Sequence, residues 1–353
     1  MKVYVDKKYR FYELFNEKNG TLIRSDIYET HEDAKYRSFP ELIDIGVMGS
    51  CISGRKGICK NAGIDCYQNA LSSYKLDMSL EDYRWIINQC MGKTFQVALG
   101  GAGDPNKHKH FGQILEITKS AGIVPNLTTS GYLLSFEEVD LIKKNCGAVA
   151  VSYYSRLINN EESNCVTGDA IEKFVKAGCI TNIHFVVSDK TIDEAIYRLE
   201  NNVWPAGISA IIFILYKPVG LGCKQKKVKC DKRLNRFVEL VLGRKYSFDI
   251  GFDTCFTPVL CNYEKNISAQ SIDPCEAARF SMYIDSELVA YPCSFDNQTG
   301  QYKIKLKPTS IQDAWDSDIF ENFRKEKKQK CISCEKNYLC NGGCHLGLEI
   351  DLC

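Results

Sequence analysis

Residues 42–68 read LIDIGVMGSCISGRKGICKNAGIDCYQ. The opening run, LIDIGVM at 42–48, is apolar and β-branched enough for a buried strand. A glycine-rich loop follows, carrying Cys51, Cys59 and Cys66. Similar β-rich runs recur at 95–100 (FQVALG), 124–129 (VPNLTT), 148–154 (AVAVSYY), 182–188 (NIHFVVS) and 210–216 (AIIFILY). Between them lie amphipathic stretches at 79–91, 108–122, 135–145, 167–178 and 191–202. Several open on Ser or Thr followed by an acid, and three end near glycine, as helix caps require. Six strands alternating with helices predict an α/β fold built on a parallel sheet, a partial (β/α)6 barrel two units short of the eightfold form. Its ligand site belongs at the carboxyl ends of the strands, where the cysteine loop falls.

The flanks differ in composition. In residues 1–40 the segment FYELFNEKNGTLIRSDI sets Asn19-Gly20 between two strand-like runs, which predicts a β-hairpin annex. No motif in this annex points to chemistry, and the expectation is that 40 residues do not make a separate leader-peptide recognition domain, with recognition in trans or by the barrel. A lysine-rich stretch, KQKKVKCDKR at 224–233, reads as a solvated loop or a dock for an acidic peptide, and LNRFVELVLG at 234–243 reads as a helix. From Gly251 to Cys353 there are nine cysteines in 103 residues, with many turn residues and little periodicity. The expected division is an annex at 1–40, a barrel at 41–250 and a cysteine-rich, metal-ordered domain at 251–353.

The chain has 353 residues, 44% hydrophobic and 25% charged, as a globular protein with a sizeable core requires. Its net charge of +1 argues against a general nucleic-acid binder. No apolar run approaches the roughly 20 residues of a membrane-spanning helix, and the N-terminus has no signal-peptide-like stretch. The outlying number is 18 cysteines. In a chain of this size they point to metal binding in a reducing, cytoplasmic compartment rather than to disulfides.

The C-terminal cysteines are spaced as Cys331-x2-Cys334-x5-Cys340-x3-Cys344, with Cys353 after them and Cys275-x17-Cys293 before. Thiolates two residues apart reach one metal centre through a tight turn, and distant ones complete the shell. Zinc and iron–sulfur clusters use the same ligand type, and spacing alone leaves both open. In the barrel loop, Cys51, Cys59 and Cys66 place three thiolates at the ligand face, which either leaves the fourth iron of a 4Fe–4S cluster open for substrate or binds zinc with a fourth ligand from elsewhere. At the end of the second strand, LGGAGDPNKH (99–108) frees the backbone at Gly100, Gly101 and Gly103 to approach a ligand, before Asp104-Pro105 opens a helix.

Taken together and in this order, these sets resemble the radical SAM enzymes with a SPASM-type C-terminal extension, over residues 41–353. The resemblance implies a barrel holding a catalytic 4Fe–4S cluster on Cys51, Cys59 and Cys66, with S-adenosylmethionine on the open iron. Tyr67 resembles the aromatic that follows the last cysteine of the family's motif. Gly100, Gly101, Gly103 and Asp104 resemble the turn that receives the methionine amino group. Ser152 matches the polar position near the methionine carboxylate and ribose, with Thr129, Ser130 and His184 as weaker candidates for the same pocket. Two auxiliary 4Fe–4S clusters are implied: an outer one on Cys331, Cys334, Cys340 and Cys353, and an inner one on Cys275, Cys293 and Cys344. The inner cluster's fourth ligand is Cys255 or Cys261, with Cys255 favoured, or the site stays open. The loop departs from the family's Cys-x3-Cys-x2-Cys, with spacings of x7 and x6, and Ala102 stands where the family's turn often carries an acid.

The implied activity is reductive cleavage of S-adenosylmethionine to a 5′-deoxyadenosyl radical that takes hydrogen from a substrate, with a peptide or protein as the leading class. An electron donor such as flavodoxin or ferredoxin is implied; nucleic acid and membrane are not. Anaerobic sulfatase-maturing enzymes are an alternative, lowered by Ser294 standing after Cys293 where an Asp is expected. A non-catalytic metalloprotein or electron carrier is the alternative of a different class. Cys223, after LYKPVGLG, is a speculative hydrogen-atom donor, while Cys90, Cys146, Cys165, Cys179 and Cys230 read as core or surface thiols.

Overall fold

A computed structural model describes residues 1–27, 35–61, 63–71, 74–154, 157–158, 161–162, 165–262, 272–346 and 350. The annex is a three-stranded antiparallel sheet of β1 (Lys2–Asp6), β2 (Phe11–Phe15) and β3 (Leu22–Asp26). The β2–β3 hairpin passes through Gly20, whose φ is +75°. β1 adds a third strand to the expected hairpin.

The main sheet begins with β4 (Leu42–Met48), β5 (Gln96–Gly101), β6 (Val124–Thr129) and β7 (Val149–Ser152). A two-residue ribbon, β8 (Leu157–Ile158) and β9 (Glu161–Glu162), stands apart. The sheet continues with β10 (Thr181–Val187), β11 (Ala210–Leu215) and β12 (Asp249–Phe252). The strands β13 (Ser281–Ile284), β14 (Val289–Tyr291) and β15 (Ile304–Lys305) complete it. The order is β12-β11-β10-β7-β6-β5-β4-β13-β14-β15. Pairing is parallel from β12 through β13 and antiparallel beyond. The sheet is open, so the architecture is the expected partial barrel. β12 is a seventh parallel strand. β13 pairs with β4, so one sheet runs from the barrel into the cysteine-rich region.

The connecting helices are α1 (Ile52–Arg55), α2 (Ile58–Asn61), α3 (Leu80–Cys90), α4 (Phe111–Ser120) and α5 (Phe136–Asn145). They continue with α6 (Cys165–Lys176), α7 (Ile192–Asn201) and α8 (Lys232–Gly243). Past β12 come α9 (Thr257–Leu260), α10 (Ile311–Trp315), α11 (Asp318–Lys325), α12 (Gln329–Ile332) and α13 (Asn337–Cys340). Ser135 and Glu138 form a capping box at α5, and Ser79 and Asp231 cap α3 and α8. α4 starts three residues later than its periodicity suggests. Pro105–Lys107 forms a 3-10 turn, and His108 instead bonds the Met78 carbonyl through Nε2 at 2.9 Å.

Strand alternation sorts the side chains. Ile43, Val97, Leu127, Val151, Ile183 and Phe213 are buried in one continuous core with the helices. The opposite face is only partly buried and carries Asp44, Asn126, Thr128, Ser152 and His184. The annex docks through Phe15, stacked on Phe95 at 5.0 Å, and through Arg37, which is fully buried and bonded to Glu13 at 2.8 Å. Trp315 Nε1 donates to the Arg37 carbonyl at 2.8 Å. Among the described residues no helix is long and apolar enough to cross a membrane.

Candidate metal and cofactor site

The cysteine loop leaves β4 and crosses the carboxyl ends of its neighbours. Cys51 is the N-cap of α1, and its sulfur accepts the Gly54 N–H at 3.1 Å. Cys59, on α2, is hydrogen-bonded to the Tyr154 hydroxyl, and Tyr154 in turn to Ser152 at the end of β7. The Cys66 carbonyl accepts the Leu221 N–H at 2.9 Å from the loop after β11. That loop grips again through Asp65, which accepts the Tyr216 hydroxyl at 2.7 Å and the Lys226 ammonium at 2.7 Å. Tyr216 Oη accepts the Cys223 N–H at 2.8 Å, so Cys223 stands beside the cysteine loop. Lys226 and Arg233 of the basic run are thus taken by carboxylates of the same chain, Arg233 by Asp189 and Asp231.

Asp104 joins three strand ends. Its carboxylate accepts the Ser53 hydroxyl at 2.5 Å, the Ser130 N–H at 2.6 Å and hydroxyl at 2.7 Å, and the Thr129 hydroxyl at 3.3 Å. It stands at the N-cap of the 3-10 turn without capping it. The glycine turn therefore braces the cysteine loop. A Cβ on Gly103 would lie 2.5 Å from the Ser50 carbonyl oxygen, whereas one on Gly100 would meet nothing within 4 Å. Gly101 has φ +97° and packs against Gly46.

Burial pushes the Cys51 thiol up to about 11 and that of Cys59 to about 12. The charges of the neighbouring cysteines add to both shifts. Burial lowers the His184 imidazole to about 4, which leaves it neutral at pH 7. Burial raises Tyr67 to about 12, and its ring lies 4.9 Å from that of Phe295. Gln68 accepts from Asn297 Nδ2 at 2.7 Å and donates to the Ser294 carbonyl at 3.3 Å. The last turn of the cysteine loop is thereby bound to the segment carrying Cys293.

The C-terminal thiols fall into two groups. Cys275 and Cys344 both press electrostatically on Cys255 and Cys293, and burial raises Cys275 to about 12 and the other two upward. Cys261 is buried elsewhere, hydrogen-bonded to Cys340 and packed by Ile272 and Leu339. Cys331 is buried with its sulfur 3.8 Å from the Gly342 carbonyl, and Cys334 is exposed. Cys353 lies outside the described residues, and so does the side chain of Cys165.

These donor sets fit iron–sulfur clusters. Three thiols on one loop, within reach of each other's charge, leave one corner of a four-iron cluster without a protein ligand. Among the described residues no group of three or more Cys, His, Asp or Glu side chains is placed to hold a single metal ion.

No protein-family model and no curated protein sequence matches the chain. Solved structures do. SuiB of Streptococcus suis bound to S-adenosylmethionine superposes with a TM-score of 0.64 at 20% identity, over 88% of this chain and 74% of that one. SuiB bound to its precursor peptide SuiA gives 0.64 at 18%, over 88% and 72%. The anSMEcpe protein with bound AdoMet gives 0.58 at 16%, over 86% and 89%. The chain shares the fold of these proteins. Within that fold, Ser53, Tyr154, Asp65, Tyr216, Lys217 and Asp253 surround the cysteines without any sequence motif marking them. Their one signal was position: each lies in or just past the cysteine loop, or within a few residues of a strand's carboxyl end.

Proposed function

We propose that the chain is a radical SAM enzyme that modifies a peptide or protein. The observation that carries this is the gathering of Cys51, Cys59 and Cys66 across the carboxyl ends of the strands, beside the turn organised by Asp104. When bound there, a 4Fe–4S cluster and S-adenosylmethionine supply reductive cleavage to a 5′-deoxyadenosyl radical that removes hydrogen from the substrate.

The chain's own part is to bind, orient and exclude water. Cys51, Cys59 and Cys66 hold the cluster. Gly100 opens the backbone for the methionine end, Gly101 and Gly103 let the turn pack against Gly46 and Ser50, and Asp104, Thr129 and Ser130 fix it. Ser152 and His184, side by side in the β7–β10 register, line the cofactor's side of the sheet. Cys255, Cys275, Cys293 and Cys344 hold an inner auxiliary cluster, and Cys331, Cys334, Cys340 and Cys353 an outer one. Residues 41–250 form the catalytic barrel, 251–353 the auxiliary domain, and 1–40 the annex. The peptide class is supported by SuiB, which binds a precursor peptide, and by anSMEcpe, which has been solved with bound peptides. A small cytoplasmic electron donor, a flavodoxin or ferredoxin, delivers the reducing electron.

The test is anaerobic formation of 5′-deoxyadenosine by reconstituted protein with dithionite and S-adenosylmethionine. Wild type forms it, and a C51A/C59A/C66A variant that keeps its auxiliary iron does not. A fully iron-loaded wild type that forms none overturns the enzyme reading in favour of an electron carrier.

A further inference from the structure

At the end of β11 the chain reads LYKPVG, and its lysine is buried. Lys217 is 5% exposed and ion-paired with Asp253. Asp253 is itself fixed. Its carboxylate accepts the Leu215 N–H at 3.1 Å, and its own N–H donates to the Phe213 carbonyl at 3.0 Å. Two residues on stands Cys255. On its other side the Lys217 ammonium lies 4.6 Å from the centre of the Phe295 ring, two residues past Cys293. One buried cation is therefore held between the two segments that carry Cys255 and Cys293. Asp253 belongs to the Cys255 segment alone, whereas the ammonium faces both segments.

We propose that the Lys217–Asp253 pair sets the reduction potential of the inner auxiliary cluster, with Lys217 as its fixed positive charge. This rests on the reading that Cys255, Cys275, Cys293 and Cys344 hold that cluster. Four thiolates bring four negative charges to a buried site, and reduction adds one more. A cation at short range in a poorly polarisable interior favours the reduced form and raises the potential, and a carboxylate does the reverse. Asp253 keeps the ammonium charged and in place, which a buried lysine requires. Lys217 is a positioning residue here: it touches neither substrate nor reacting atoms.

The experiment uses the full chain, reconstituted anaerobically and titrated with dithionite and mediators while cluster signals are followed by electron paramagnetic resonance. A C275A/C293A variant identifies the inner signal. K217Q lowers the inner potential and K217R stays near wild type, while the outer cluster keeps its potential in both. If K217Q leaves the inner potential unmoved with iron retained, or raises it, the proposal is wrong. Where a single variant fails to fold, K217Q/D253N leaves no unpaired charge. Its inner potential falls below that of K217R if the proposal holds and matches it if not. If C275A/C293A loses no iron, the inner cluster fails and this proposal with it. Formation of 5′-deoxyadenosine separately reports whether the barrel reading stands.

Discussion

Gly220 lies against the Cys66–Tyr67 peptide so closely that a Cβ on it would stand 2.4 Å from the Tyr67 carbonyl oxygen. The Cys66 carbonyl oxygen would be 2.5 Å away, and φ at Gly220 is +63°. Both contacts are backbone, so neither can rotate aside. G220A must push the third cysteine of the loop out of place and strain its own backbone, costing roughly 1–3 kcal/mol. The expected result is a lower urea midpoint and less iron per chain in the barrel, with auxiliary iron retained. A variant with wild-type iron and stability would show that the loop after β11 does not position Cys66.

Gly100 and Gly103 separate space for a ligand from space for the fold. A methyl group at Gly103 collides with the Ser50 carbonyl, while one at Gly100 points into open space. G103A is expected to destabilise the protein and disturb Cys51. G100A is expected to fold with unchanged stability yet bind S-adenosylmethionine at least tenfold more weakly, because its methyl occupies the approach to the turn. Calorimetric titration of the reconstituted protein decides. Equal affinity in G100A and wild type would place the methionine end elsewhere.

Cys255 and Cys261 stand six residues apart with a turn of α9 between them, and the fold sends them to different neighbours. C255A is expected to remove inner-cluster iron and its absorption. C261A is expected to keep the inner cluster and disturb only the packing around Cys340. The reverse pattern in iron analysis would reassign the inner ligand.

Asp44 supplies the pH dependence. Burial, helped by the charge of Glu276, pushes its carboxyl up to about 7. In the unfolded chain it titrates near its ordinary value of about 3.9. Between these values the unfolded chain has lost the proton that the folded chain keeps, so stability falls as pH rises through the window. Below about pH 4 both states are protonated and the penalty vanishes. D44N removes the group, so the variant should gain stability over wild type at pH 8, by up to about 4 kcal/mol, and little at pH 4. Urea unfolding at the two pH values measures this. A gain that does not change with pH would mean that Asp44 ionises normally.

Much of this was legible in the chain. β4 and β6 begin and end where their apolar runs do, and the other barrel strands agree to within two residues. Period-two alternation and capped amphipathic helices are local properties, written in adjacent residues. The three thiols of the loop, the glycine turn and the C-terminal cysteine spacing were equally visible, because each is a run of residue types. β12 escaped notice because DIGF is short and broken by a glycine.

The sequence by itself determined the alternating α/β order, the end of the sheet that carries the cysteine loop, and the thiol chemistry available there. Tertiary structure alone decided the rest. It joined β13 to β4 across more than two hundred residues and set Asp104 between Ser53 and Ser130. It sent Cys255 and Cys261 to different partners and held Lys217 over the ring of Phe295. The reason is physical. A strand or a cap depends on neighbours along the chain, whereas a buried ion pair or a shared ligand set depends on which distant segments exclude water together.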